Sequence, residues 1–124
     1  MWICSKYGFF SIVEDHQKSK LFKIRARSKE DLQNLLKACK LNVTIVSTIN
    51  TDYPHRIFVY DFELSNIFQV LCNSIDYSNF KNSLYETSQE DKEWSYLDIW
   101  RTMRDWQQDK EEVSKDFSLK YVKG

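Results

Sequence analysis

Hydrophobic and polar positions change period several times along this chain, and each change marks an element. From Trp2 to Val13 the residues are β-formers with apolar side chains on both faces, which reads as one strand. Gly8 inside that run predicts a bulge or a close backbone approach. A polar turn over residues 14–20 leads to strict alternation over 21–27. There Phe22, Ile24 and Ala26 point one way and Lys23, Arg25 and Arg27 the other, as in a half-buried strand with a basic outer face. Ser28, with Asp31 three residues on, predicts a capped helix whose apolar stripe is Leu32, Leu35, Leu36 and Cys39. Alternation returns over 43–49, and Asn50 to Pro54 form a turn. A strand over 55–60 then sets Ile57 and Val59 against Arg56, Phe58 and Tyr60.

Beyond Asp61, a potential cap, the spacing of Leu64, Ile67, Phe68, Leu71, Cys72 and Ile75 is that of a helix lying on a sheet. Residues 76–79 break it, with Asp76 or Ser78 as the next cap, and a short helix carries Phe80 and Leu84. Ser88 with Asp91 predicts the start of a last long helix. Its ridge is Trp94, Leu97, Trp100 and Met103, with Tyr96, Ile99 and Trp106 beside it; Trp100 is expected in the core. After Gln107 charge dominates, and Phe117, Leu119 and Tyr121 alternate weakly, so the tail reads as an edge strand or a loose end. The order ββαββα predicts an α+β fold: a four-stranded antiparallel sheet with two helices on one face and additional C-terminal helices, compatible with a ferredoxin-like arrangement. Residues 1–106 read as one domain and 107–124 as a charged extension.

Composition narrows the function classes. Two glycines in 124 residues nearly exclude a backbone phosphate cradle, and the known nucleotide-binding, hydrolase and zinc-protease signatures are missing. Cys4, Cys39 and Cys72 are odd in number and widely spaced, which predicts neither a disulfide framework nor a metal site, and fits a reducing, cytoplasmic setting. Cys39 and Cys72 are both expected on apolar helix faces. No cofactor is expected, and neither a signal peptide nor a membrane span is predicted. Net charge is zero, but residues 1–60 hold 10 Lys/Arg against 5 Asp/Glu while residues 61–124 hold 8 against 13. A basic face and an acidic face, or internal pairing of the two halves, both satisfy that split.

Several short motifs occur in one order: Met1-Trp2-Ile3, Gly8-Phe9-Phe10-Ser11-Ile12-Val13, Arg25-Ala26-Arg27 with Asp31-Leu32, Asp52-Tyr53 with Arg56, Asp76 to Lys81, and Trp100. Together they resemble a family of small, uncharacterised proteins of bacteria and their phages or mobile elements, over roughly residues 1–106. The chain has Pro54-His55 where that pattern carries an aromatic before the arginine. The resemblance implies a shared fold and lineage, and it carries over no catalytic residue.

Four constellations bear chemistry. Lys23, Arg25, Arg27, Arg56, Phe58 and Tyr60 fall on the outer sides of two strands, where guanidinium groups and rings suit phosphates and stacked bases. Pairing of Arg25 and Arg27 with the acidic C-terminal half, with Phe58 and Tyr60 under the extra helices, is the structural alternative. Asp52, His55 and Arg56 share a loop and suit acid–base chemistry on a phosphodiester, as in a small nuclease. Asp76 to Lys81 reads as a capped, anchored turn or a binding loop. Trp94, Tyr96, Trp100 and Trp106 exceed what one helix face needs, and Trp106 in particular is a candidate partner contact. The expected function is a non-enzymatic protein-interaction module, and the resemblance implies a phage or mobile-element accessory factor acting on a host component. Nucleic-acid binding through the sheet face is the alternative, and a small nuclease the third reading.

Overall fold

The computed structural model describes the backbone of residues 1–122 and the side chains of residues 1–115. Two units separate, Met1–Glu90 and Asp91–Gly124. The first holds a sheet of β1 (Trp2–Ser5), β2 (Gly8–Glu14), β3 (Leu21–Ala26), β4 (Val46–Ser47) and β5 (His55–Tyr60). Its order is β1-β2-β3-β5-β4, with every ladder antiparallel. Helices α1 (Lys29–Cys39) and α2 (Asp61–Asn73) follow β3 and β5, and a short α3 (Phe80–Ser83) runs into a 3-10 turn over Leu84–Thr87. The α+β class and the antiparallel sheet are therefore established, whereas the finer ferredoxin-like assignment is not.

Five strands stand where the alternation predicts four. The first expected strand is a hairpin: β1 and β2 pair Ser5 with Gly8 across the two-residue turn Lys6-Tyr7. Apolar residues on both faces concealed that turn, and its cause is local. The Ser5 hydroxyl accepts the Tyr7 and Gly8 amides at 3.2 and 3.3 Å and donates to the Gly8 carbonyl at 3.1 Å. Gly8 is not a bulge but the close approach: its φ is +156°, and a Cβ there would lie 2.5 Å from the Asp31 side chain. The expected strand over 43–49 shrinks to Val46 and Ser47, while Val43 and Ile45 leave the ladder to pack on the core, as Leu41 does before them.

One face of the sheet makes the core. Phe10, Ile12, Ile24, Ala26, Ile57 and Val59 meet Leu32 and Leu35 of α1 and Ile67 and Leu71 of α2. Each fully buried Leu, Ile or Phe there stabilises the fold by about 1.5–3 kcal/mol. Helix ends depart from the sequence expectation. Ser28 is the N-cap of α1 but makes no side-chain cap bond, and Asp31 is turned inward to accept the Phe9 amide at 3.1 Å. Tyr60, not Asp61, is the N-cap of α2, and Glu63 reaches back to its amide at 2.9 Å. Asn79 caps α3 by accepting the Asn82 amide, a role expected of Asp76 or Ser78. Ser88 takes a left-handed conformation that ends the 3-10 turn instead of opening the last helix. Cys39 borders the core as expected, whereas Cys72 is exposed.

The second unit is dominated by α4 (Glu93–Val122), preceded by a 3-10 turn over Glu90–Lys92. The tail expected as an edge strand or loose end continues this helix to Val122; residues 123 and 124 lie outside the described residues. No helix among the described residues is long and apolar enough to cross a membrane.

Candidate interaction surfaces

Strand register decides which side chains share the sheet's outer face. Ser11, Arg25 and Arg56 lie opposite one another on β2, β3 and β5, with Trp2 and Val46 at the two edges. One row further, Val13, Lys23 and Phe58 align, and then Leu21 with Tyr60. The alternation that buries Ile24 and Ile57 thus brings Lys23, Arg25, Arg56, Phe58 and Tyr60 onto one face, with Arg27 just beyond the end of β3.

Local partners occupy much of this face. Arg25 donates to the Ser11 hydroxyl at 2.7 Å, and its guanidinium lies 4.6 Å from the centre of the Tyr53 ring. Arg27 lies 4.3 Å from the same ring, 5.9 Å from Phe9, and 3.2 Å from the Asp52 carboxylate. Tyr53 is buried, so the 48–54 loop is tied to the sheet by stacked guanidinium groups. Arg56 donates to the Thr48 hydroxyl at 2.6 Å, and Lys23 sits 3.9 Å from Asp15. Tyr60 stacks on Phe62 and accepts from Lys18 at 3.3 Å. The alternative in which Arg25 and Arg27 pair with the acidic C-terminal half is not what forms. Arg27 takes Asp52 from the N-terminal half, and among the described residues Arg25 and Arg56 bond only to hydroxyls.

The Asp52, His55 and Arg56 set does not converge. His55 and Arg56 are neighbours on a strand, so their side chains leave opposite faces. His55 Nδ1 is 2.8 Å from the Ser47 hydroxyl, and Asp52 faces Arg27. Three different partners hold three groups that a phosphodiester mechanism would need at one point. His16 is exposed in the β2–β3 turn. No cluster of three metal-binding side chains occurs among the described residues.

A charged link holds the β1–β2 turn, and sequence reasoning missed it. The buried Lys6 ammonium donates to Asp76 at 3.0 Å and to Glu86 at 3.3 Å. Burial alone pulls its pKa down, but the bonds and charges of Asp76 and Glu86 outweigh that and hold it above the ordinary lysine value. Tyr77 and Phe80 pack with ring centres 5.8 Å apart. Of the segment Asp76 to Lys81, Asp76 clamps the turn and Asn79 caps α3. Nothing in the sequence links position 6 to positions 76 and 86.

On α4 the outcome differs from the expected burial. Tyr96 is buried, but every side chain from Asp98 to Lys115 is exposed, including Trp100 and Trp106. Within the helix, Arg104 lies over the Trp100 ring at 5.2 Å and Lys110 over the Trp106 ring at 5.0 Å. Trp106 therefore belongs to a surface of the second unit, while the other binding candidates belong to the first. No family model matches the chain, and neither a curated protein nor a solved structure is significantly similar to it.

Proposed function

We propose that the chain is a non-enzymatic protein-interaction module whose docking element is helix α4. One observation carries the reading: Ile99, Trp100, Met103, Trp106 and Val113 stand exposed along a single helix that buries no side chain between Asp98 and Lys115. A helix gains most of its stability in a protein from packing an apolar face, so such a stripe is explained by a partner that covers it. Tryptophan is also the residue most enriched among contacts that dominate binding energy. In the phage or mobile-element setting that the motif resemblance implies, the module would act on a host component.

The test is cross-linking of the full chain in cell extract, with the wild type beside a Met103→Ser/Trp106→Ser variant. Complexes that form with the wild type and vanish with the variant support docking on α4. Complexes that survive it but are lost on Arg25→Ala/Arg27→Ala move the docking surface to the sheet. A wild type that captures nothing, with itself or with another protein, removes the reading.

A second reading, single-stranded nucleic acid on the outer sheet face, is favoured by one feature. Arg25 and Arg56 have no carboxylate partner among the described residues, and the Arg25 Nε is buried without a hydrogen bond. Binding that weakens steeply with salt and is lost in Arg25→Ala/Arg56→Ala would support it; salt-independent or absent binding refutes it.

A further inference from the structure

We infer that the partner covering α4 is a second copy of the same chain, packed antiparallel. The inference rests on reading α4 as the docking element and names its occupant. Ile99, Met103, Trp106, Lys110 and Val113 succeed one another at spacings of four, three, four and three residues. That is the a/d spacing of a coiled-coil seam, held for about two heptads of the exposed helix with Lys110 at one seam position. A helix offered to an unrelated groove needs only a few anchors, whereas a repeating seam matches another copy of itself.

Area is sufficient. The exposed fractions are 44% for Ile99, 58% for Trp100, 56% for Met103, 56% for Trp106 and 68% for Val113. Large side chains at these exposures offer on the order of 600 Å² per copy. Fully covered on two copies, with Trp100 flanking the seam, they bury at most about 1,200 Å², close to the ~1,000 Å² expected of a specific interface.

Charge sets the direction. Arg101 and Arg104 pair with Asp98 and Asp105 of their own helix, and in the heptad frame they face away from the seam, so Lys110 is the charge that counts. A parallel, in-register pair buries each Lys110 against its own counterpart in the seam, which costs stability. Antiparallel packing moves the two lysines apart along the axis. In the heptad frame it sets Met103 opposite the second copy's Val113, and Trp106 opposite the second copy's Lys110. The contact that Lys110 makes with its own Trp106 ring is then replaced by the same contact across the pair, so its stem is covered while its charge stays on an indole face.

Light scattering and sedimentation of the full chain, up to about 500 μM to cover the weak end of this interface class, test the inference. A doubling of mass with concentration is expected for the wild type, and its loss in Met103→Glu, an exposed position whose change leaves the sheet core untouched. Orientation is read from spin labels at Ser114→Cys in a background with Cys4, Cys39 and Cys72 changed to Ala. Antiparallel helices crossing near residue 108 separate the two labels by about 18 Å along the axis, at ~1.5 Å per residue, whereas a parallel pair leaves no axial offset. A wild type that stays monomeric, or labels without axial offset, overturns the inference. If the chain is monomeric yet Met103→Glu abolishes cross-links to another protein, docking through α4 stands and the second copy falls. If neither association occurs, both fall.

Discussion

Gly8→Ala is the most exacting check on the fold that carries these surfaces. Two effects act at this position. The φ of +156° lies where only glycine is comfortable, and holding alanine there costs about 1–3 kcal/mol. The added methyl would also stand 2.5 Å from Asp31 Cβ and Cγ and 2.8 Å from Oδ2. Asp31 is 2% exposed and its carboxylate accepts the Phe9 amide, so it cannot yield without breaking that bond or moving α1 off the sheet. Loss of a hydrogen bond to a charged group costs about 1.5–3 kcal/mol. The expected destabilisation is therefore about 3–5 kcal/mol, a large part of the roughly 5–15 kcal/mol of a typical domain. Urea unfolding followed by far-ultraviolet circular dichroism measures it, since exposed Trp2, Trp94, Trp100 and Trp106 are poor reporters of the core. A double-mutant cycle with Asp31→Gly separates the two effects: with no Cβ at position 31 the collision disappears and only backbone strain of about 1–3 kcal/mol remains. A cost under about 1 kcal/mol, or an equal cost with and without Asp31, would refute the reasoning.

Other changes follow from the same contacts. Lys6→Met should cost only about 1 kcal/mol, because Asp76 and Glu86 are exposed and regain water once unpaired; a loss above roughly 3 kcal/mol in urea unfolding would contradict this. The raised Lys6 pKa sets a sign for pH: its contribution is complete below the unfolded lysine value of about 10.4 and is lost as pH rises through the higher folded value. Wild-type stability should accordingly fall faster than that of Lys6→Met above about pH 10.4. Arg25→Ala removes the bond to Ser11 and the stack on Tyr53, and should cost about 1–2 kcal/mol and expose the 48–54 loop to protease; unchanged proteolysis there would show that the stack does not hold the loop. Burial pushes the Cys39 thiol up, so it should alkylate more slowly than exposed Cys72 at pH 8, as peptide mass mapping would read; equal rates would refute this.

Much of this protein was determined by its sequence alone, wherever the information is local. Alternation over residues 21–27 and 55–60 placed Lys23, Arg25, Arg56, Phe58 and Tyr60 on one face, because a strand turns its side chains with a period of two whatever surrounds it. The helical stripes of α1 and α2 followed from their own spacing in the same way. Tertiary structure alone decided what those faces meet. No local rule ties Gly8 to Asp31, or Lys6 to Asp76 and Glu86, since these pairs are joined only when the sheet and helices assemble. Arg25 found Ser11 and Tyr53 instead of an acidic residue because cross-strand register and a folded-back loop, not total charge, set its neighbours. The aromatic helix makes the point most sharply. Its spacing announced an apolar face, but periodicity cannot tell a face buried in its own core from one left for a partner. Trp100, Met103 and Trp106 stand exposed along α4, which their spacing alone could not tell.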